Sequence, residues 1–322
     1  VTFTVERLLS PEARRATLEA DLRAGLSTQP RWLSPIWLYD ERGSILYDEI
    51  TRVPEYYPTR VERAIFAAHA DEIIALASCD SLVELGSGTS EKTIELLDAM
   101  VRAGSLERFI ALDVSEEVLV ASAKAIEAQY AIDVVAAVGD FHTHLDLLPQ
   151  EGRRLFAFLG GTIGNFDPDE RMAFLTGLAS SMHSGDALLL GTDLVKDRDR
   201  LIAAYDDAQG VTAAFDLNVL AVINREFGAN FDLGSFVHVA TFDEEHSWIE
   251  MRLRSLRDQR VEITGLDLGI DLSAGEEIRT EISTKFRQDA LDAELVEAGF
   301  AIEGIFTDPS CDFRVTLARP KI

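Results

Sequence analysis

Glu84, Gly86, Gly88 and Ser90 stand at alternate positions in Leu82-Val83-Glu84-Leu85-Gly86-Ser87-Gly88-Thr89-Ser90-Glu91-Lys92-Thr93. The run ending Val83-Glu84-Leu85 reads as a short buried strand, and Thr93-Ile94-Glu95-Leu96-Leu97 opens a helix. Between them, Gly86 and Gly88 make a turn without Cβ atoms. Such a turn lets a nucleotide-like ligand lie on bare backbone, facing the amide groups at the helix start. In a dinucleotide fingerprint the third glycine would fall at Ser90, and here the acid Glu84 stands two residues before the first glycine. A carboxylate there opposes a pyrophosphate and favours a cationic ligand without phosphate. S-adenosylmethionine, with its sulfonium and ammonium groups, therefore fits better than NAD. A glycine turn serving only helix-strand packing is the plainer alternative.

These residues need a scaffold, and the chain around them supplies one. A long helix from Thr59 leads through Val61, Ile65, Ile73, Ile74 and Leu76 into the turn. Strand 109–113, helix 115–130, strand 134–138, strand 155–159, helix 169–182 and strand 187–193 follow. Buried apolar strands alternating with amphipathic helices predict a parallel sheet wound on both faces, whose ligands collect at the carboxyl ends of its strands. Each of those ends is polar or small: Glu84 with Gly86 and Gly88, then Asp113, then Asp140-Phe141, then Gly160-Gly161-Thr162-Ile163-Gly164-Asn165. Asp113, 25 residues beyond Gly88, stands where a ribose hydroxyl pair would need a carboxylate, and equally where the next helix would need an N-cap.

After Asp193 the winding stops. Residues 196–285 give helices around 199–208 and 218–227, then alternating runs that predict an inserted region with its own sheet. In the last run, Arg279, Glu281, Ser283 and Lys285 are expected on one face. Helix 288–298 resumes the winding, and 301–306 with 313–317 predict an antiparallel hairpin at the sheet edge. Residues 11–26 read as an amphipathic helix, before a stretch holding Trp32, Trp37, Tyr39, Tyr47, Tyr56 and Tyr57 among Pro35, Pro54 and Pro58. Aromatics with polar tips suit a pocket wall and a satellite core alike. Tyr56 and Tyr57, between two prolines, are excluded from a regular helix.

The chain has 322 residues and a net charge of -26, from 30 Lys and Arg against 56 Asp and Glu. That balance repels nucleic acid and anionic membrane surfaces and points to a small metabolite as partner. Cys79 and Cys311 alone make neither a disulfide framework nor a thiolate metal site, which suits a cytoplasmic protein. The first residues alternate apolar side chains with charges in place of a signal-peptide core, and no apolar run reaches the length of a membrane span. No metal is expected: His142 and His144 alternate, with Asp140 and Asp146 near them, but no further ligand set gathers there.

The glycine turn, the strand-end acids and the terminal hairpin resemble class I S-adenosylmethionine-dependent methyltransferases over residues 61–195 and 286–322. Longer strings narrow the resemblance: Leu46-Tyr47-Asp48-Glu49-Ile50-Thr51-Arg52, Pro54-Glu55-Tyr56-Tyr57-Pro58-Thr59-Arg60, Gly164-Asn165-Phe166 and Gly191-Thr192-Asp193-Leu194-Val195-Lys196-Asp197. With the glycine turn, they are similar to the histidine Nα-methyltransferases of ergothioneine biosynthesis, nearly end to end. The resemblance implies a doubly wound, Rossmann-like methyltransferase core at 61–195 and 286–322, with an α+β substrate-binding domain at 1–60 and 196–285. It implies trimethylation of the α-amino group of L-histidine to hercynine with S-adenosylmethionine as cosubstrate. A monomer is the expectation, though no residue pattern fixes the oligomeric state. The family's cosubstrate contacts match Gly86, Lys92, Asp113, Asp140 and Phe141. Its amino-acid contacts match Tyr56, Asn165 and Tyr205, with Glu281 and Ser283 beside the imidazole, and further pocket positions match Met251, Phe215 and Tyr39. Tyr47 departs from relatives that carry Phe there. By themselves Asn165 reads as a turn residue, Tyr205 as core and Glu281 as a solvated strand residue. A methyltransferase for another amino acid or small amine, a nicotinamide-dependent oxidoreductase and a non-catalytic S-adenosylmethionine-binding protein are the alternative readings.

Overall fold

A computed structural model describes residues 1–90 and 92–321, so Glu91 of the glycine-turn string lies outside the described residues. In chain order, β1 (Phe3–Arg7), α1 (Pro11–Ser27), β2 (Arg31–Trp32), α2 (Glu41–Ile50) and α3 (Pro58–Ala77) come first. Next are β3 (Ser81–Leu85), α4 (Ile94–Ala103), β4 (Arg108–Asp113), α5 (Glu116–Tyr130), β5 (Asp133–Val138), β6 (Arg154–Phe158), α6 (Pro168–Ser181) and β7 (Ala187–Asp193). α7 (Arg198–Tyr205), α8 (Val211–Phe227), β8 (Phe236–Asp243), β9 (Trp248–Ser255), β10 (Gln259–Ile263), β11 (Leu268–Leu272) and β12 (Glu277–Thr284) follow. α9 (Gln288–Glu297), β13 (Phe300–Thr307) and β14 (Phe313–Pro320) complete the order. The chain divides into two compact units: Val1–Leu9, Pro58–Val195 and Lys285–Ile322 form the first, and Ser10–Tyr57 with Lys196–Thr284 form the second.

The first unit holds an eight-stranded sheet in the order β1-β5-β4-β3-β6-β7-β14-β13. The first six strands of that order run parallel, and β14 and β13 are antiparallel, as the sequence pattern predicts. Every residue of β3, β6 and β7 is buried, because both faces are covered. Parity along β3 shows this directly. Leu82 joins the cluster containing Ile65, Phe66, Ile73 and Leu97, while Val83 and Leu85 join the one containing Phe156, Phe174, Leu178 and Leu295. Strand order reverses at β3, which lies between β4 and β6, and such a switch point opens a crevice at the carboxyl ends of its strands.

One assignment is corrected here. Residues 3–7, expected with the substrate-binding part, pair in parallel with β5 from Phe3↔Val134 to Arg7↔Val138. Phe3 and Val5 pack on the core while Thr4 between them is exposed, the alternation of a strand with one covered face.

The second unit carries a four-stranded sheet, β2-β12-β9-β8, and the hairpin β10-β11. α7 and α8 pack on β8 and β9. α2 falls inside the aromatic stretch and was not legible as a helix; Asp40 starts it by accepting the Gly43 N–H at 2.8 Å. A bulge in β12 decides which side chains share a face. Arg279 lies opposite Arg252, whereas Glu281 lies opposite Met251, so one step on β9 spans two on β12. Glu281 and Ser283 therefore share the face of Met251 and Ile249, and Arg279 stays on the other with Arg252. The expected single face of Arg279, Glu281, Ser283 and Lys285 is thus broken at Thr280. Lys285 lies beyond the strand, with Nζ 3.1 Å from Asp193 Oδ2 in the first unit.

Candidate active site

In the first unit, the turn after β3 places Gly86 at φ +68 and Gly88 at φ +49, left-handed backbone that glycine takes without strain. The Gly88 N–H donates to Asp113 Oδ2 at 3.0 Å, and the Ser115 N–H donates to Asp113 Oδ1 at 2.9 Å. Asp113 thus clamps the glycine turn to the entrance of α5, and each oxygen keeps acceptor capacity for a ligand hydroxyl. Of the two roles that the sequence left open for it, the N-cap falls to Ser115, and Asp113 lies two residues before it. Glu84 is buried beneath the same turn, its Oε1 accepting from the Thr93 hydroxyl. Burial lifts the Glu84 carboxyl to about 7, against the opposing pull of Thr93. Glu84 Oε2, Ser87 Oγ and Ser90 Oγ are buried without a hydrogen-bond partner. Buried polar atoms of that kind are costly unless a ligand or water meets them, and this set suits a ligand that brings donors.

Lys92 stands on the far side of the turn, Nζ 3.3 Å from Glu62 Oε2. Glu62, on α3, also accepts the Gly160 N–H at 2.8 Å through Oε1. A Cβ on Gly160 would come within 2.6 Å of the movable Lys92 Nζ, and the left-handed φ of +77 is what favours glycine there. Asp140 opens the loop after β5, accepting the His142 N–H at 2.8 Å. The Phe141 ring lies 5.3 Å from Phe158 and 5.8 Å from Phe174, and an ideal Cβ on Gly86 would sit 3.7 Å from its Cε1. Asn165 ends the short 3-10 turn Thr162–Asn165 that follows β6, half-buried. Gly86, Asp113, Asp140, Phe141 and Asn165 accordingly follow or end neighbouring strands of one sheet, at their carboxyl ends.

In the second unit the aromatic stretch gathers around α8. Tyr39 and Phe215 ring centroids are 5.6 Å apart, Tyr39 and Tyr47 5.7 Å, Tyr47 and Tyr56 6.4 Å, and Tyr56 and Tyr205 6.1 Å. The Tyr205 hydroxyl and Ser283 Oγ are 2.7 Å apart. Tyr56, Tyr205, Met251, Glu281 and Ser283 are all buried, so Glu281 is not the solvated strand residue that its local pattern suggests. Burial first, and the neighbouring tyrosines second, hold the Tyr56 phenol well above its ordinary value.

Sequence reasoning missed Glu62. Its signal was an acid on the apolar stripe of α3, three and four residues before Ile65 and Phe66. It also missed the buried pair His238 and Asp216, 2.7 Å apart. Among the described residues no group of three or more His, Cys, Asp or Glu could hold a metal ion, and no helix is long and apolar enough to cross a membrane.

The family described as histidine-specific, S-adenosylmethionine-dependent methyltransferases matches residues 18–320. The histidine N-alpha-methyltransferase of Mycolicibacterium smegmatis is 52% identical over 319 residues, covering 99% of each chain. That of Mycobacterium tuberculosis is 51% identical and covers 98% of each. Ergothioneine biosynthesis protein 1 of Neurospora crassa is 32% identical over 228 residues, 67% of this chain and 26% of that one. With a family match across nearly its whole length and half its residues shared with relatives of the same extent, this chain belongs to the histidine-specific, S-adenosylmethionine-dependent methyltransferases.

Proposed function

We propose that this chain transfers methyl groups from S-adenosylmethionine to the α-amino nitrogen of L-histidine in three rounds, giving hercynine for ergothioneine biosynthesis. The observation that carries this reading is the 52% identity to a histidine N-alpha-methyltransferase over 99% of both chains. Gly86, Lys92, Asp113, Asp140 and Phe141 are assigned to the cosubstrate. The glycine turn gives its backbone, Asp113 accepts from ribose hydroxyls, and the Phe141 ring packs on the adenine. When bound, S-adenosylmethionine supplies a methyl group on a positively charged sulfur.

The chain's own residues then have a positioning task, since in-line displacement needs no protein nucleophile. Alignment of this kind contributes roughly 7 to 11 kcal/mol. Tyr56, Asn165 and Tyr205 are assigned to the amino and carboxylate end of the acceptor, and Glu281 and Ser283 to its ring nitrogens. The raised pKa of Tyr56 keeps its phenol protonated, so it orients by hydrogen bonding and does not serve as a phenolate base. Neutral amine must still form before each transfer, and in a free amino acid the adjacent carboxylate holds the ammonium proton more tightly than at a chain terminus, so that proton leaves to water or another acceptor. The faces of Tyr39, Tyr47, Tyr56 and Phe215 suit the charge that remains on the nitrogen after each round.

Mass spectrometry of a reaction with L-histidine and S-adenosylmethionine should show three successive methyl additions. Absence of any methylated histidine, with transfer to another amino acid in a panel, overturns the assignment of the acceptor.

A further inference from the structure

His238 and Asp216 take no part in the roles assigned above, yet both are buried, and His238 meets a residue that does. His238 Nδ1 lies 2.7 Å from Asp216 Oδ2, and Nε2 lies 2.8 Å from the backbone carbonyl oxygen of Tyr205. A carbonyl oxygen only accepts, and so does an ionised carboxylate. A neutral imidazole has one N–H and would leave a lone pair facing one of these oxygens. The contacts are satisfied together when the pair holds one proton more, so that hydrogens lie on both lines.

We propose that His238 and Asp216 are positioning residues for the acceptor amino acid, the protonated ring tying the last residue of α7 to α8 and β8. The proposal rests on the reading that Tyr205 and Ser283 touch the acceptor. Tyr205 is then fixed at two points, its carbonyl by His238 and its hydroxyl by Ser283 at 2.7 Å. The bond from His238 sets the backbone from which the phenol projects. Without it the hydroxyl would keep its partner on β12 but lose its fixed origin.

Every element packed on the ring supports the extra proton or leaves it undisturbed. α8 contributes Asp216, and Asp206 follows the end of α7. Across β9, His238 pairs with the apolar Leu253. Burial alone would lower the His238 pKa, but the hydrogen bond and charge of Asp216, with the Tyr205 carbonyl and Asp206, outweigh it and the value is raised. A raised value in the folded protein means that the clamp is complete below the ordinary histidine value and is lost as pH rises through the raised one.

The test is steady-state kinetics across pH for the wild type, His238→Phe and Asp216→Asn, with S-adenosylhomocysteine titrated separately. His238→Phe should raise the histidine KM roughly tenfold to a hundredfold, leave kcat nearly unchanged and leave S-adenosylhomocysteine binding intact. Asp216→Asn should move the alkaline rise in histidine KM to lower pH, so that acidification rescues it in part. A histidine KM unchanged in both variants overturns the positioning role while leaving the acceptor assignment standing. Failure of the wild type to methylate histidine overturns the acceptor assignment and this role with it. Imidazole nitrogen NMR of the wild type needs no variant to fold: a second proton lost from the pair below the ordinary histidine value of about 6.5 overturns the proposal.

Discussion

The turn after β3 and the Tyr205-Ser283 cluster both hold polar atoms at fixed places, but with different materials. In the turn the positions belong to backbone: two left-handed glycines, amides tied to Asp113, and Gly160 held by Glu62. In the cluster they belong to side chains set by one another, five rings edge to edge and a hydroxyl pair at the end of α7. A backbone-built site recognises a ligand class and leans on few side chains, Asp113 first among them. A side-chain-built site can be retuned one residue at a time, and this difference suits a constant methyl donor with an acceptor that must be chosen.

The largest expected effect falls on that choice. Glu281→Ala should erase most of the preference for histidine over other amino acids, roughly a thousandfold, with S-adenosylhomocysteine affinity unchanged. An activity panel that still singles out histidine would break the contrast between the two sites.

Next is the electrostatic cost hidden under the turn. The folded pKa of Glu84, about 7, lies above its ordinary value of 4.5. The folded protein therefore binds this proton more tightly, and stability falls as pH rises from 4.5 to 7. Glu84→Gln should stabilise the protein by on the order of 3 kcal/mol at pH 8 and much less at pH 5. Melting temperatures whose gap does not widen between those pH values would show Glu84 to be solvated.

Asp113→Ala should weaken S-adenosylhomocysteine binding roughly tenfold to a hundredfold, seen by calorimetry. Equal weakening of histidine binding by that variant would show that the two sites are not separable. The smallest effect is expected of Asn165→Ala, a fall of about tenfold in kcat/KM that is alike for every amino acid accepted. A loss confined to histidine would move Asn165 from the shared end of the acceptor to its ring.

The same contrast explains what could be read from residue order alone. The glycine turn, Asp113, Asp140 and the hairpin at 300–320 announce themselves because turn chemistry and strand ends are local. β1 was missed because its five residues become a strand only by pairing with β5, some 130 positions away. The face of Glu281 was legible only in part, since the bulge at Thr280 is fixed by the register against β9. Glu62 meets Gly160 across 98 positions and Asp216 meets His238 across 22. No periodicity reports such pairs. The strings around Tyr56 and Asn165 marked a family, and only the folded chain shows what Tyr205 rests on.

The position of β14 carries a consequence for how the molecule is made. This strand is hydrogen-bonded to β7 on one side and β13 on the other, from Phe313↔Asp193 to Ala318↔Leu188. While the chain is still on the ribosome, β7 therefore presents a bare edge to solvent or to any neighbouring nascent chain through the synthesis of residues 196–312. Exposed edges of this sort are templates for wrong pairing. Premature termination anywhere within that interval leaves the sheet open at β7.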